Sequence, residues 1–128
     1  MKLGAAVGTL AAIPWLRGVP AVYWGDLDTH GFVILDRARA ALPNMRSVLM
    51  DEETLLAHRR LWSQEAEPHA DAGLPHLTKP ERAVFDKLRT NEWGQGVRLE
   101  QERIPWRLAL DAVRAALATD AARVFQPA

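Results

Sequence analysis

The chain has 128 residues, 48% of them apolar, enough for one domain with a real core and too few for two comfortable ones. Its 16 basic and 16 acidic side chains cancel, which excludes general electrostatic steering toward nucleic acid or an anionic membrane, so an anionic partner has to be met locally. The lack of cysteine excludes disulfides and thiolate metal sites, and thirteen arginines against three lysines favour planar, bidentate contacts with phosphate or carboxylate wherever they converge.

The opening "MKLGAAVGTLAAIPWL" has one lysine before a small apolar stretch, a weak match to a secretory signal. Leu3, Val7, Leu10 and Ala11 recur at helical spacing before Pro14, so the stretch reads instead as an amphipathic helix, too short to span a membrane. A cytoplasmic protein is the expectation. After the turn "RGVP", the run "AVYW" (21–24) is a short strand, apolar on both faces and therefore expected centrally. "GFVILDRARAALP" (31–43) is a helix of about three turns, with Phe32, Leu35 and Leu42 inward and Pro43 ending it. "RSVLM" (46–50) is a second strand. "DEETLLAHRRLWSQE" (51–65) is a helix with acidic residues in its first turn, where the macrodipole favours them. This alternation implies an α/β fold, a parallel sheet with crossover helices.

Residues 66–77 contain two prolines, a glycine and two histidines without periodicity and read as an exposed loop. Thr78 is placed as an N-cap, with Pro80 and Glu81 in the first turn of "KPERAVFDKLRTNEW". A short strand or extended segment is expected in "GQGVRLEQERIPW", followed by a helix from Pro105 to about Ala118. Trp15, Trp24, Trp62 and Trp106 are expected to pack.

The chemistry concentrates in "GDLDTHG", residues 25–31. Asp26 and Asp28 fall where a strand ends and a helix begins, which in a parallel α/β sheet is the edge at which ligands bind. Residues two apart in extended chain point the same way, so both carboxylates can face one hard cation such as Mg²⁺. Gly25 and Gly31 permit close backbone approach. A turn followed by a helix cap explains the same residues without any ligand. His30 is expected to be solvated. Asp51, with Glu52, ends the second strand at the same edge and is either an outer ligand or general base, or an N-cap. Arg37, Arg39, Arg46, Arg59 and Arg60 are either phosphate contacts or solvated helix faces. A haloacid-dehalogenase-like phosphatase also carries two aspartates one apart, but it requires threonine or valine two places after the second, where this chain has His30.

"GDLDTHGFVIL" resembles the aspartate motif of Toprim domains in the form used by the A subunit of topoisomerase VI. Together with "YWGDLDTHGFVILDRAR", "SVLMDEETLLAHRRLW", "LT" near Leu77 and "RLEQERIPW", the chain resembles the C-terminal domain of JetD, the nuclease subunit of the Wadjet antiplasmid defence system, from about Gly4 through the final helix. The resemblance implies a Toprim-like fold and Mg²⁺ or Mn²⁺ held by Asp26 and Asp28 at a DNA-cleaving centre, with DNA, SMC-like Wadjet subunits and a homodimer as partners. Glu100 and Glu102 match a family segment between Arg98 and Arg103 and are candidate catalytic groups; ion pairing at a sheet edge is their other explanation. Toprim chemistry also needs a glutamate at the end of a first strand, and no acidic residue precedes Asp26. The expectation is one Toprim-like domain over 1–128 without that strand or the upstream DNA-binding region, with little nuclease activity of its own. A non-catalytic docking or dimerisation module is the alternative, and the phosphatase a lesser one.

Overall fold

The computed structural model describes residues 21–70 and 73–124, so the helix expected around Leu3 to Ala11, and Trp15, lie outside the described residues. Strand β1 (Val22–Tyr23) pairs in parallel with β2 (Arg46–Ser47), Val22 opposite Arg46 and Tyr23 opposite Ser47. Helix α1 (Thr29–Ala41) makes the crossover between them. This is the parallel unit that the alternation of elements implies. Arg46 N–H donates to Ala21 O and Val48 N–H to Tyr23 O, each at 2.9 Å, extending the ladder at both ends. Leu49 then takes φ 59°, a left-handed conformation that ends the strand short of the expected residue 50.

Helix α3 (Lys79–Arg89) packs across α1, and Phe32 of one meets Phe85 of the other with ring centroids 6.3 Å apart. Both rings are fully buried, together with Leu27, Leu35, Leu55 and Leu99. Each such side chain contributes roughly 1.5–3 kcal/mol of burial. Thr78 caps α3 as expected: its hydroxyl accepts from Glu81 N–H while Glu81 Oε1 accepts from Thr78 N–H at 2.8 Å, a full capping box.

Glu81 does more than cap. Arg39 of α1 grips it two-handed, Nη1 to Oε1 at 2.5 Å and Nη2 to Oε2 at 3.0 Å, and Ser47 of β2 donates its hydroxyl to the same carboxylate. Arg39 spends two further donors on Met45 O (3.1 Å) and His76 O (2.8 Å). One buried ion pair thus ties α1, β2 and α3 together. Arg39 is therefore a structural residue.

The stretch expected as one helix over 51–65 is three elements. Helix α2 (Glu52–Ala57) gives way to a 3₁₀ turn (Arg59–Leu61) and then to strand β3 (Ser63–Gln64), which pairs antiparallel with β4 (Val97–Arg98). Trp62 lies half-buried and donates Nε1–H to Leu55 O at 2.9 Å, and Glu65 N–H donates to Gly96 O at 2.7 Å. Tertiary pairing has overridden a helical pattern. Helix α3 also stops before its expected end at residue 93, with Asn91 at φ 59°. Helix α4 (Trp106–Val124), behind a 3₁₀ turn (Gln101–Arg103), outlasts the expected Ala118. Trp106, expected to pack, meets the Trp24 ring with centroids 6.1 Å apart but is 69% exposed. The described residues form a mixed α/β architecture of four α-helices and a short two-stranded parallel sheet, consistent with a Toprim-like fold, with an antiparallel pair beside it.

Candidate metal centre

The site is built on a cross-strand bridge. Leu27, the middle residue of "DLD", exchanges both backbone hydrogen bonds with Leu99, 2.8 Å one way and 3.0 Å the other. Both leucines are fully buried. In extended chain, neighbours of an inward residue point outward. Asp26 and Asp28 therefore share one face with Arg98, which precedes Leu99, as the two-residue spacing predicts.

Each aspartate divides its oxygens in the same way. Asp26 Oδ1 accepts from Gln101 N–H at 2.8 Å, and its Oδ2 lies 3.4 Å from Arg98 Nη2. Asp28 Oδ1 caps α1 by accepting from Gly31 N–H at 2.6 Å, and its Oδ2 lies 3.2 Å from Arg98 Nε. Within Asp28, then, one oxygen caps the helix and the other faces the Arg98 guanidinium. Gly31 is required here, because a Cβ at that position would fall 1.9 Å from Asp26 O.

A third carboxylate joins them from an element that does not exist in the helical reading of 51–65. Glu65, 6% exposed, follows β3 and accepts from both the backbone N–H (2.8 Å) and the hydroxyl of Thr29 at the start of α1. Nothing in the local sequence marks it. Only the β3–β4 pairing brings it within reach of residue 29. The following loop lies against the same helix end: His69 N–H donates to Thr29 Oγ1 at 2.6 Å, and the exposed His30 ring has Nε2 at 2.6 Å from Glu67 O and stands perpendicular to the His69 ring, centroids 5.7 Å apart. His30 is exposed, as expected, but engaged.

Asp26, Asp28, Glu65, Arg98 and Gln101 line one open cavity of about 330 Å³, with Trp24 and Ile34 among its apolar walls. Burial is the main influence on Asp28, raising its carboxyl from the ordinary 3.8 to about 6; Glu65 and Asp26 push the same way, against Gly31 N–H and Arg98. Such a site favours added positive charge. Gln101, 8% exposed, leaves its buried Oε1 without a hydrogen-bond partner. The remaining sequence candidates stand elsewhere. Asp51 is an exposed N-cap of α2, accepting from Thr54 N–H at 2.7 Å. Glu100 accepts from Ser63 Oγ at 3.3 Å, and Glu102 is exposed on the 3₁₀ turn. None of the three lines the cavity.

The donor set fits a hard divalent ion: two carboxylates each direct an oxygen at a single positive group. Among the described residues no group of three His, Asp or Glu side chains is placed to hold a metal. An ion here would take the two aspartates and complete its shell with water or substrate oxygens, as Mg²⁺ commonly does.

A family model for the C-terminal part of Wadjet protein JetD matches residues 1–113. The chain belongs to the JetD C-terminal family. No curated protein matches it. In this family member the "DLD" aspartates and the "RLEQ" segment, distant in the chain, are a single structural unit joined through Leu27 and Leu99. Among the described residues no helix is long and apolar enough to cross a membrane.

Proposed function

We propose that this JetD-family chain carries the catalytic centre of a Mg²⁺-dependent DNA endonuclease, working in the cytoplasm with SMC-like Wadjet subunits against plasmids. The observation that supports it is the convergence of Asp26 and Asp28 on one point at the N-terminal end of α1, in an open cavity of a JetD-family member. A bound Mg²⁺ supplies charge stabilisation at the scissile phosphate and a more acidic water. The chain's own residues do the rest. Asp26 and Asp28 bind the cation, Gln101 N–H and Gly31 N–H orient their carboxylates, and Glu65 holds the start of α1 in place through Thr29. With two aspartates converging and no third acidic ligand among the described residues, the chain by itself is expected to cut slowly.

The test is thermal unfolding of the chain and of Asp26→Asn/Asp28→Asn, with and without millimolar Mg²⁺ or Mn²⁺, alongside nicking of a supercoiled plasmid. Metal should raise the wild-type midpoint and leave the double variant unmoved, because only a native-state ligand stabilises. A competing reading, a docking module whose aspartates only cap and pair, is favoured by the compensation that Arg98 already supplies. It predicts no response to metal in either protein.

A further inference from the structure

Arg98 does not behave like Arg39. Arg39 is 12% exposed and meets Glu81 at 2.5 and 3.0 Å in a matched fork, whereas Arg98 is 28% exposed and reaches two different carboxylates at 3.2 and 3.4 Å. Its Nε, although close to Asp28, makes no aligned hydrogen bond. The one hydrogen bond is the long one from Nη2 to Asp26 Oδ2, and the contact with Asp28 is a charge contact alone, so neither has the geometry of a locked fork. The backbone beneath, in contrast, is held by the two hydrogen bonds between Leu27 and Leu99 and by the pairing of Arg98 with Ser63. A loosely paired side chain thus stands on a hydrogen-bonded strand, in the lining of the cavity.

We propose, resting on the nuclease reading above, that Arg98 is the site's internal cation: it partly neutralises Asp26 and Asp28 until a divalent ion takes their oxygens, and its guanidinium then turns to the phosphate oxygens of the DNA. Charge balance supports the exchange. The two aspartates and Arg98 leave one negative charge uncompensated, Glu65 being committed to the positive end of α1. A divalent ion converts that deficit into one positive charge, which a phosphodiester neutralises. Arginine suits the second role because its planar fork matches two phosphate oxygens. Arg98 and the metal would therefore compete in the free protein and cooperate once DNA is bound.

The experiment compares the full 128-residue chain with R98Q and R98K at pH 8, well above the value of Asp28. Mn²⁺ binding is measured by calorimetry, and binding of a short duplex in Ca²⁺ by fluorescence anisotropy across a salt series. Without the competing charge, R98Q should bind Mn²⁺ about tenfold more tightly. It should bind DNA several-fold more weakly, with the salt slope reduced by about one. R98K retains a charge beside the carboxylates to keep the fold, and should bind Mn²⁺ nearly as wild type while losing DNA affinity through loss of the fork. An unchanged Mn²⁺ affinity in R98Q, or an unchanged salt slope, overturns the exchange while leaving the metal site standing. Absence of any Mn²⁺ binding that depends on Asp26 and Asp28 overturns the nuclease reading itself.

Discussion

Two arginine–carboxylate assemblies lie at opposite ends of α1 and use the same chemical groups to different ends. At the C-terminal end Arg39 and Glu81 satisfy each other and four neighbours: Met45 O, His76 O, the Ser47 hydroxyl and Thr78 N–H. At the N-terminal end one arginine serves two aspartates with long contacts, a third carboxylate stands beside them, and the cavity opens to solvent. Acidity records the difference. Burial pushes Glu81 up, but hydrogen bonds from Arg39, Ser47 and Thr78 outweigh it and hold the carboxyl below its usual range. For Asp28 burial wins, and its carboxyl rises to about 6. A saturated pair stabilises the fold; an under-compensated one stores an attraction for something else.

The largest effect should come from dismantling the saturated pair. Arg39→Ala leaves Glu81 buried and unpaired and should cost about 3–5 kcal/mol in urea unfolding, with α1, β2 and α3 losing their common tie. Survival with less than about 1 kcal/mol lost would reduce the pair to surface chemistry.

The two carboxyls should titrate with opposite signs. In chelator, the folded chain holds a proton on Asp28 between about pH 4 and 6 that the unfolded chain has released, so stability falls as pH rises through that window. Wild type should lose about 2 kcal/mol relative to Asp28→Asn between pH 4.5 and 7. Glu81, held low, contributes stability above its ordinary value that disappears on acidification, so Glu81→Gln should be most harmful at neutral pH and least below pH 4. Parallel pH profiles for the two variants would dissolve the contrast.

A smaller change tests the backbone of the open site. Gly31→Ala drives a methyl into Asp26 O and should cost about 1–3 kcal/mol, while shifting Asp26 enough to remove the thermal response to metal. A variant that retains that response would show the loop to be adaptable. The smallest effect belongs to Arg98→Gln, which should cost about 1 kcal/mol at pH 8 and less at pH 5, where Asp28 is protonated and needs no counterion. A loss as large as that of Arg39→Ala would make Arg98 a structural residue.

Local rules made part of this molecule legible. Thr78, Pro80 and Glu81 announced the start of α3, acidic residues announced α2, and the apolar run before "GDLD" announced a parallel strand followed by a crossover helix, although among the described residues that strand has one neighbour and is not central. All depend on interactions within about one turn of chain, which sequence spacing records directly. The Asp26–Asp28 pair was legible for the same reason. The division of "DEETLLAHRRLWSQE" was not, because the antiparallel pairing of Ser63 with Arg98 depends on a strand thirty-five positions away. With that pairing missed, Glu65 could not be seen as a neighbour of Thr29, nor Arg98 as the counterion of both aspartates.

The sequence by itself determined the caps, the parallel βαβ order and the presence of two carboxylates at a strand-to-helix junction, since these follow from chain neighbours. Only the tertiary structure decided which charges surround that junction. Its bridge between Leu27 and Leu99 places residues 72 apart in contact. Electrostatic environment is a property of distance in space, and no periodicity along the chain encodes it.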